Sequence, residues 1–329
     1  MIRLIFLYPI SFVINLIVLL RNLLYDYSFL HKEVSKKMVI SVGNIQIGGA
    51  GKTPFVISLI KLLLDNHIKP LVITRGYKRI TSKQIIFEHI NDYTVEEVGD
   101  EPYHIKMLFE DVPIIINQNK KQAVRLANTL KNIDCIILDD GYQSRYIKRD
   151  LDIVLINTWK NNESFKLAPL GFLREKVNSL KRADIIYTTK GDNFFKKISK
   201  YETYPLNIDY QLTEFKKNKI VNVKNIKSDK SKKIIAFSGI ANSNHFQDTL
   251  NNMNIKYDKI IHLKNHYNYK SDNNLIIDNE NIIYITTYKD FFKLNLKNAL
   301  VYIVNMEIHI KHNMLIDKIK KRINETNQM

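Results

Sequence analysis

The chain alternates short runs of apolar, β-branched residues with stretches of helical periodicity. Each apolar run of the first part ends in a turn or in polar residues. This order predicts a mostly parallel sheet with helices on both faces, and ligand sites at the carboxyl ends of its strands. The predicted strands cover residues 38–42, 70–74, 113–117, 135–138, 153–157 and 185–188.

A polar, lysine-rich stretch at residues 213–233 interrupts this pattern and is predicted to be a linker. A second series of apolar runs follows it. These runs predict a smaller α/β domain with strands at residues 234–237, 259–263, 282–286 and 300–304. We therefore divide the chain into an N-terminal helical segment at 1–37, a first α/β domain at 38–212 and a smaller domain at 213–329.

Residues 4–20 contain no charged side chain and are the candidate for membrane contact. The run is marginal in length, since a spanning helix takes about 20 apolar residues. Pro9 and Asn15 weaken a lipid-buried helix, whereas the basic stretch 31–37 suits an anionic surface. No small-residue cleavage pattern follows Leu20, which argues against a secretory signal. We predict a membrane-inserted or interfacial helix, with an ordinary buried core helix as the alternative.

The chain has 329 residues and a hydrophobic content of 45%, as expected for a folded protein. Its formal net charge of +17 suits nucleic acid, anionic lipid or a phosphorylated substrate. Lysine, asparagine and isoleucine are abundant throughout, so a general compositional bias explains the charge equally well. Because no aromatic-and-basic RNA-binding module accompanies the charge, we predict no nucleic-acid partner. The single cysteine, Cys135, excludes an intramolecular disulfide and any multi-cysteine metal site.

The segment 43–54 lies between an apolar run and a helical pattern, and it has the composition of a phosphate-binding loop. Glycines let backbone N–H groups approach phosphate oxygens, and the following helix N-terminus adds partial positive charge. Lys52 would hold the outer phosphates, and the Thr53 hydroxyl would bind Mg²⁺. Gln46 stands where the strict motif has a glycine, and a glycine-rich turn without a ligand is the alternative. The predicted nucleotide-binding residues are Gly48, Gly49, Ala50, Gly51, Lys52 and Thr53.

An acidic motif follows the predicted strand at 135–138. Asp139 and Asp140 lead into Gly141, as carboxylates at the end of a Walker B strand do. One can bind Mg²⁺ directly and the other through water, because successive strand residues point to opposite faces. Alone, the Asp-Asp-Gly sequence equally suits a turn. Together with the upstream loop it predicts a magnesium site at Thr53, Asp139 and Asp140.

Two further side chains are candidates for phosphoryl transfer. Asp100, in a turn before Pro102, either accepts the proton of an attacking hydroxyl or caps the following helix. Arg75 follows the strand at 70–74, where a guanidinium suits bidentate phosphate contact, although a surface arginine has the same pattern. The spacing of these residues does not decide between the alternatives.

In combination, these motifs resemble the tetraacyldisaccharide 4'-kinase family, which phosphorylates a lipid-embedded glucosamine disaccharide during lipopolysaccharide assembly. The resemblance runs in order through most of the chain. Its pieces are Gly43-Asn44-Ile45 with Gly48-Gly49-Ala50-Gly51-Lys52-Thr53-Pro54, Thr74-Arg75-Gly76-Tyr77, Val98-Gly99-Asp100-Glu101-Pro102, Asp139-Asp140-Gly141-Tyr142-Gln143, Arg149-Asp150-Leu151-Asp152-Ile153, Pro169-Leu170-Gly171-Phe172-Leu173-Arg174-Glu175 and Phe237-Ser238-Gly239-Ile240-Ala241.

The resemblance implies transfer of the γ-phosphate of ATP to the 4'-hydroxyl of the lipid A disaccharide precursor at the cytoplasmic face of the inner membrane. It implies a P-loop NTPase-like α/β/α sandwich, a second, smaller α/β domain across a cleft, a membrane-associated N-terminal helix, and ATP and Mg²⁺ as cofactors. By similarity, Asp100 is the catalytic base and is paired with His266 from the second domain. No obligate protein partner is implied. Substrate contacts are expected at Arg75, Glu101, Lys120 and Arg174.

Four positions depart from the family pattern. Asn265 stands where the family has an aspartate before the histidine, and Ser144 replaces a histidine. Tyr288 replaces the glutamate of a Thr-Glu-Lys-Asp segment, and Lys120 replaces an arginine. The loop lysine and threonine, Asp100 and both aspartates of the acidic pair are retained, and we therefore expect activity to be retained.

A membrane-associated ATPase switch is the alternative function. In such a protein the same loop would control binding to a protein partner, and ATP would be hydrolysed without a phosphate acceptor. Release of ADP that depends on the lipid acceptor would distinguish the kinase from the switch.

Overall fold

The computed structural model describes residues 2–77, 79–158, 166–190, 198–216, 219–223, 226, 232–240, 243–264, 267, 269, 276–294, 296–310 and 312–327. The first of its two sheets has eight strands in the order β3-β4-β2-β5-β1-β6-β7-β8. Neighbouring strands run parallel, except for the antiparallel pair β3 and β4. The strands are β1 (Met38–Gly43), β2 (Pro70–Thr74), β3 (Ile85–Phe87), β4 (Ile114–Ile116), β5 (Cys135–Asp139), β6 (Leu151–Asn157), β7 (Ile185–Lys190) and β8 (Tyr204–Pro205).

Helices cover both faces of this sheet. Side chains of β1 alternate between them: Met38 lies in the core that includes Phe55, whereas Val39 lies in the core that includes Val124. All six residues of β1 are buried, which explains why its sequence is apolar except for Ser41. The predicted α/β/α sandwich is therefore confirmed. The helices of this part are α1 (Ile2–Asp26), α2 (Lys52–Asp65), α3 (Val95–Val98), α4 (Asp100–Leu108) and α5 (Lys120–Ala127), with 3₁₀ turns at Ile90–Asp92 and Val177–Arg182.

The second sheet has six strands in the order β10-β9-β14-β13-β11-β12. Its last three neighbouring pairs are parallel, whereas β9 runs antiparallel to both β10 and β14. The four strands predicted for this region are confirmed. The elements are β9 (Asn207–Lys216), β10 (Lys219–Val223), β11 (Lys233–Ser238), α6 (Ser243–Asn252), β12 (Lys259–His262), β13 (Ile282–Thr287), α7 (Tyr288–Phe291) and β14 (Leu300–His309).

The stretch 213–233, predicted to be a linker, contains the end of β9 and all of β10. That part of the prediction was wrong, because β9 buries the polar side chains of Thr213 and Glu214 together with Leu212 and so has no continuous apolar run. Thr213 is fully buried and Leu212 nearly so, while neighbouring positions carry polar side chains. β9 also crosses the proposed boundary at 212/213, and the division of the chain into three segments stays a prediction.

The last helix, α8 (His312–Asn327), packs on the first sheet although it follows the second in sequence. Leu315, Ile316 and Ile319 are buried in the same core as Met38 and Phe55. The second sheet therefore lies between two parts of the chain that build the first.

One contact between the two sheets is made by α4 and α7. The rings of His104 and Tyr288 stack with centroids 3.9 Å apart, and those of Tyr103 and Phe292 lie edge-on at 5.3 Å. The Tyr288 hydroxyl lies 3.1 Å from the Thr213 hydroxyl oxygen. Tyr288, which departs from the family pattern, is thus a packing residue of this contact.

This contact predicts a dependence of stability on pH. Burial lowers the pKa of His104 from its ordinary 6.5 to about 3. Below pH 6.5 the unfolded chain binds a proton that the folded chain takes up only near pH 3, so acidification favours unfolding. In this window the free energy of unfolding should fall by up to about 1.4 kcal/mol per pH unit from this group alone.

His104→Phe should remove that contribution and flatten the dependence of stability on pH, measured by urea unfolding between about pH 5 and neutrality. His89→Phe, at an exposed histidine, is the matched control and should leave the slope unchanged. Equal slopes in the two variants would contradict the assignment to His104.

Candidate active site

The functional residues collect at the carboxyl edge of the first sheet. β2, β5 and β1 are neighbours there, and they deliver Arg75, the Asp139-Asp140 pair and the phosphate-binding loop to one edge. The loop runs from the end of β1 to the start of α2 at Lys52. The sequence order of strand, loop and helix was predicted, and so was the convergence of strand ends.

The backbone of this loop is built for close approach of a ligand. Gly48 and Gly51 have φ angles of 104° and 75°, in the region that favours glycine, and Gly51 is the N-cap of α2. A side chain placed on Gly49 would meet nothing within 4 Å, so the loop faces open space there. A helix N-terminus beside an open glycine-rich backbone fits a phosphate group.

Gln46 explains how the loop departs from the strict motif. Its buried side-chain amide donates to the Asn157 carbonyl at 3.0 Å and accepts from the Asn157 N–H at 2.8 Å. The Asn157 side chain in turn donates to the Gly49 carbonyl at 3.0 Å. A glutamine in place of glycine therefore joins the loop to the end of β6 and holds its shape.

The two aspartates after β5 have different surroundings. Asp139 is buried and accepts a hydrogen bond of 3.0 Å from the Thr74 hydroxyl, and burial raises its pKa. Asp140 lies 3.5 Å from the Lys52 ammonium and 2.9 Å from an Arg174 guanidinium nitrogen. Partial burial opposes ionisation of Asp140, but these two cations prevail and lower its pKa to about 2. Asp140 is thus held ionised beside the loop.

The structure contradicts the substrate contact that was expected at Lys120. The Lys120 side chain is 0% exposed. Its ammonium group donates to the backbone carbonyls of Asp139 and Asp140, the latter at 2.9 Å. Burial lowers its pKa to about 8. Lys120 therefore fixes the acidic turn from behind, which an arginine at this position could do as well.

Glu101, next to Asp100 in α4, lies near Lys52 and Thr53 of the phosphate-binding loop. Its side chain is exposed to solvent, yet protein groups crowd the carboxyl group. This crowding and the charge of Asp139 raise its pKa to about 7, while Lys52 and Thr53 lie close enough to favour the ionised form. Opposing influences therefore act on the protonation of Glu101, and cationic groups near it favour its carboxylate form.

Within the described ranges no cluster of three or more His, Cys, Asp or Glu side chains is poised to enclose a metal ion. Mg²⁺ does not require one, because it is commonly held by one or two carboxylates, a hydroxyl and substrate phosphates. The donors at Thr53, Asp139 and Asp140, the residues predicted from the sequence, fit that pattern.

Asp100 is the first residue of α4 and is not its cap. Gly99, with a φ of 96°, occupies the N-cap position. The alternative that Asp100 is present only to cap the helix is therefore wrong. Its carboxylate is 24% exposed and lies 3.1 Å from the ammonium of Lys293, which follows α7 of the second sheet. Asp100 and Glu101 are consecutive, so the first turn of α4 presents two acids to the cleft.

A cavity of about 820 Å³ opens next to Asp100. Sequence reasoning missed it, because its walls come from distant parts of the chain. The only local signal was the aromatic residue of the Thr74-Arg75-Gly76-Tyr77 motif. The lining includes Tyr77, Tyr93, Tyr103, Phe292 and Lys293.

The remaining expected site residues divide into three cases. Arg75 is exposed after β2 and forms no hydrogen bond or ion pair with the residues that the structure describes. Arg174 contacts Asp140, as given above, and remains 31% exposed. His266, the expected partner of Asp100, and Asn265 lie outside the described residues. The structure thus brings together the loop, the aspartate pair, Glu101 and Asp100.

Comparison with known proteins gives consistent matches. The profile of the family described as Tetraacyldisaccharide-1-P 4'-kinase matches residues 3–324. A tetraacyldisaccharide 4'-kinase of Aquifex aeolicus is 32% identical over 96% of this chain and 97% of its own length. One of Halothermothrix orenii is 32% identical over 90% of this chain and 86% of its own. A crystal structure of LpxK from Aquifex aeolicus in complex with ATP superposes with a TM-score of 0.81 at 31% identity, covering 96% and 98% of the two chains.

Proposed function

Because this chain belongs to the tetraacyldisaccharide-1-phosphate 4'-kinase family, we propose that the cleft beside Asp100 transfers the γ-phosphate of ATP to the 4'-hydroxyl of the lipid A disaccharide precursor. The enzyme is an ATP-dependent kinase of lipid A biosynthesis. The membrane-associated ATPase switch has no support among its relatives. The roles of individual residues are our proposal.

One observation carries this assignment of roles. Asp100 and Glu101 are adjacent, yet Asp100 lines the 820 Å³ cavity while Glu101 lies by Thr53 and Lys52 of the loop. The first turn of α4 therefore separates a space for an acceptor from a space for a nucleotide. Transfer between two such spaces is what a kinase requires, since the reacting oxygen and phosphorus must be brought into line.

On the nucleotide side, the loop backbone and Lys52 hold the phosphates of ATP. Thr53, Asp139 and Asp140 would hold Mg²⁺, which neutralises charge on the outer phosphates when it is bound. Glu101, expected to contact the substrate, lies beside Lys52 and Thr53. Arg174 keeps Asp140 ionised and oriented toward the loop. Arg75, exposed at the same edge of the sheet, is available to the phosphate groups of either substrate.

On the acceptor side, Asp100 accepts the proton of the 4'-hydroxyl. The hydroxyl oxygen forms a bond to the γ-phosphorus, and the bond from that phosphorus to the bridging oxygen of ADP breaks with its electron pair. The aromatic walls of the cavity suit the apolar faces of sugar rings. His266 stays a prediction as the partner of Asp100.

A labelling experiment tests the function. The purified protein is incubated with Mg²⁺, γ-labelled ATP and a detergent-dispersed tetraacyldisaccharide 1-phosphate, and label is followed into the lipid and located on the sugar. Label at the 4' position is expected. Consumption of ATP without labelled lipid would indicate that the protein is an ATPase switch and not a kinase.

We propose further that α1 lies in the membrane interface and does not span the bilayer. Leu7–Asp26 has a mean hydropathy of 1.8 and only 6% of it is buried, which disfavours an ordinary core helix. Its inward face contacts the protein through polar groups: the Ser11 hydroxyl donates to the Leu167 carbonyl at 3.4 Å, and the Asn22 amide donates to Glu175 at 2.9 Å. The buried or half-buried stripe is Leu7, Ser11, Asn15, Val18, Arg21, Asn22 and Tyr25.

This stripe extends from residue 7 to residue 25, about 27 Å at the rise of an α-helix. A helix held against the protein over that length has too few residues left to cross a hydrocarbon core of about 30 Å. Its outward face is apolar and can enter one leaflet at the depth of an interfacial helix. Asn15, which weakens the helix as a span, lies on the face toward the protein.

The double substitution Phe12→Glu with Ile17→Glu should reduce binding to anionic vesicles by roughly tenfold or more in a sedimentation assay. Both side chains lie on the outward face, with exposed fractions of 67% and 61%. Val221→Glu with Ile277→Glu is the matched control and should bind as the wild type does. Both are exposed apolar positions, Val221 in β10 and Ile277 in the segment before β13. Vesicle binding unchanged by the α1 substitutions would contradict the proposal.

A further inference from the structure

Residues 288–293, which comprise α7 and the two residues after it, present two different faces to the first part of the chain. Tyr288 and Phe292, four residues apart, pack against α4 through His104 and Tyr103. Lys289 and Lys293 have the same spacing, one position further along, and therefore lie together on the adjoining face. The packing of the aromatic pair directs the lysine pair toward the start of α4.

The lysine pair meets the two acids of the cleft. The Lys293 ammonium lies 3.1 Å from the Asp100 carboxylate and is 23% exposed. Lys289 is half-buried, and Asp100 and Glu101 both act on its charge. Burial and the neighbouring charge of Lys293 lower the pKa of Lys289, so an anion placed between the two would relieve their repulsion.

The support of α7 is rigid. The buried Asp290 carboxylate accepts hydrogen bonds from the Gly239 N–H at 2.9 Å, the Tyr269 hydroxyl at 2.9 Å and the Thr287 hydroxyl at 2.8 Å. A side chain on Gly239 would approach an Asp290 oxygen to 2.8 Å, so only glycine fits there without displacement. These contacts fix the turn that carries the lysines relative to β11.

We propose that Lys289 and Lys293 form a cationic clamp that the second sheet contributes to the transferred phosphate. The proposal rests on the proposed kinase function and adds to it two catalytic residues from the segment that follows β13. In the structure, Lys293 forms an ion pair with Asp100. When Asp100 takes the hydroxyl proton it loses its negative charge, and the charge of Lys293 becomes available to the γ-phosphoryl oxygens as negative charge develops on the bridging oxygen of ADP.

Electrostatic complementarity of this kind acts mainly in the transition state. Removal of one preorganised donor of charge typically costs 100-fold to 1,000-fold in kcat. Lys293→Met should therefore lower kcat for labelled lipid by about 100-fold, with the KM for ATP and the melting temperature nearly unchanged. Lys293→Arg should retain activity within about tenfold, because the charge is kept. Lys289→Met should act in the same direction.

The matched control is Lys61→Met. Lys61 on α2 also pairs across the two sheets, with Glu307 of β14 at 3.7 Å, but it is 62% exposed and away from the acids of the cleft. If pairing between sheets were the only role of Lys293, both methionine variants would behave alike. A kcat for Lys293→Met within about twofold of that for Lys61→Met would overturn the proposal, and so would a loss confined to ATP affinity.

The acceptor also carries a phosphate on its other sugar. A second comparison shows whether the lysines bind this phosphate or the γ-phosphate of ATP. Wild type and Lys293→Met are assayed with acceptors that have and lack this 1-phosphate. An equal fold-loss with both acceptors is expected for a clamp on the γ-phosphate, whereas a loss seen only with the phosphorylated acceptor would overturn it. Failure of the wild type to label either lipid would refute the kinase function itself and is thus a distinct outcome.

Discussion

Replacing Asp100 with asparagine is expected to lower kcat for lipid phosphorylation by roughly 100-fold to 10,000-fold, the range for loss of a general base. The amide has the size of the carboxylate but cannot accept the hydroxyl proton. Because Gly99 is the N-cap, the substitution removes no helix cap and should leave α4 intact. Steady-state transfer of γ-label to the lipid measures the effect, and binding of Mg-ATP should be retained.

The control for this variant is Asp92→Asn. Asp92 is an exposed acid in the wall of the same 820 Å³ cavity, and its loss should change kcat by no more than a few fold. Near-normal turnover by a folded Asp100→Asn enzyme would show that Asp100 is not the general base. Similar losses in both variants would indicate that the acidity of the cavity, and not one base, is required.

The second large effect is expected for Lys52→Met, with a loss of roughly 100-fold to 1,000-fold in kcat/KM for ATP. Lys52 is the first residue of α2, 18% exposed and 3.5 Å from Asp140. Its removal takes one cation from the outer phosphates. It also leaves Asp140 with Arg174 as its remaining ion-pair partner among the described residues, so the pKa of Asp140 should rise.

Lys61→Met tests the same helix without touching the loop. The Lys61 side chain is largely exposed on α2, and its loss should leave kcat/KM for ATP within about twofold of the wild type. Nucleotide affinity from fluorescence titration completes the comparison. Unchanged ATP turnover in Lys52→Met would exclude the loop as the phosphate site and with it the P-loop assignment.

The central strands were predictable because they are buried on both faces. The sequences of β1, β2 and β5 are almost entirely apolar, and the ends of these strands were predicted to within a residue or two. The short strand β8 and the polar hairpin of β9 and β10 were missed. A strand at a sheet edge or with a solvated face carries no continuous apolar run, and its existence depends on a partner distant in sequence.

The site was predictable as far as its motifs are local. The loop and the aspartate pair follow from short sequence patterns, and their convergence follows from parallel strand order. The burial of Lys120 and the pairing of Lys293 with Asp100 could not be predicted from the sequence, because each depends on contacts between segments that are distant along the chain. Ser144, which departs from the family pattern, is buried, and its hydroxyl has no hydrogen-bond partner among the described residues; the structure gives no reason for the replacement.

The position of α8 has a consequence for how this protein can be divided or extended. A truncation after residue 212 would remove Ile316 and Ile319 from the core around Met38, and so the nucleotide-binding layers could not be produced alone as a stable fragment. The strands through which the chain enters and leaves the second sheet, β9 and β14, are themselves paired along their length. A change of length in a loop of the second sheet that leaves β9, β14 and α8 in place should therefore keep the core around Met38 intact.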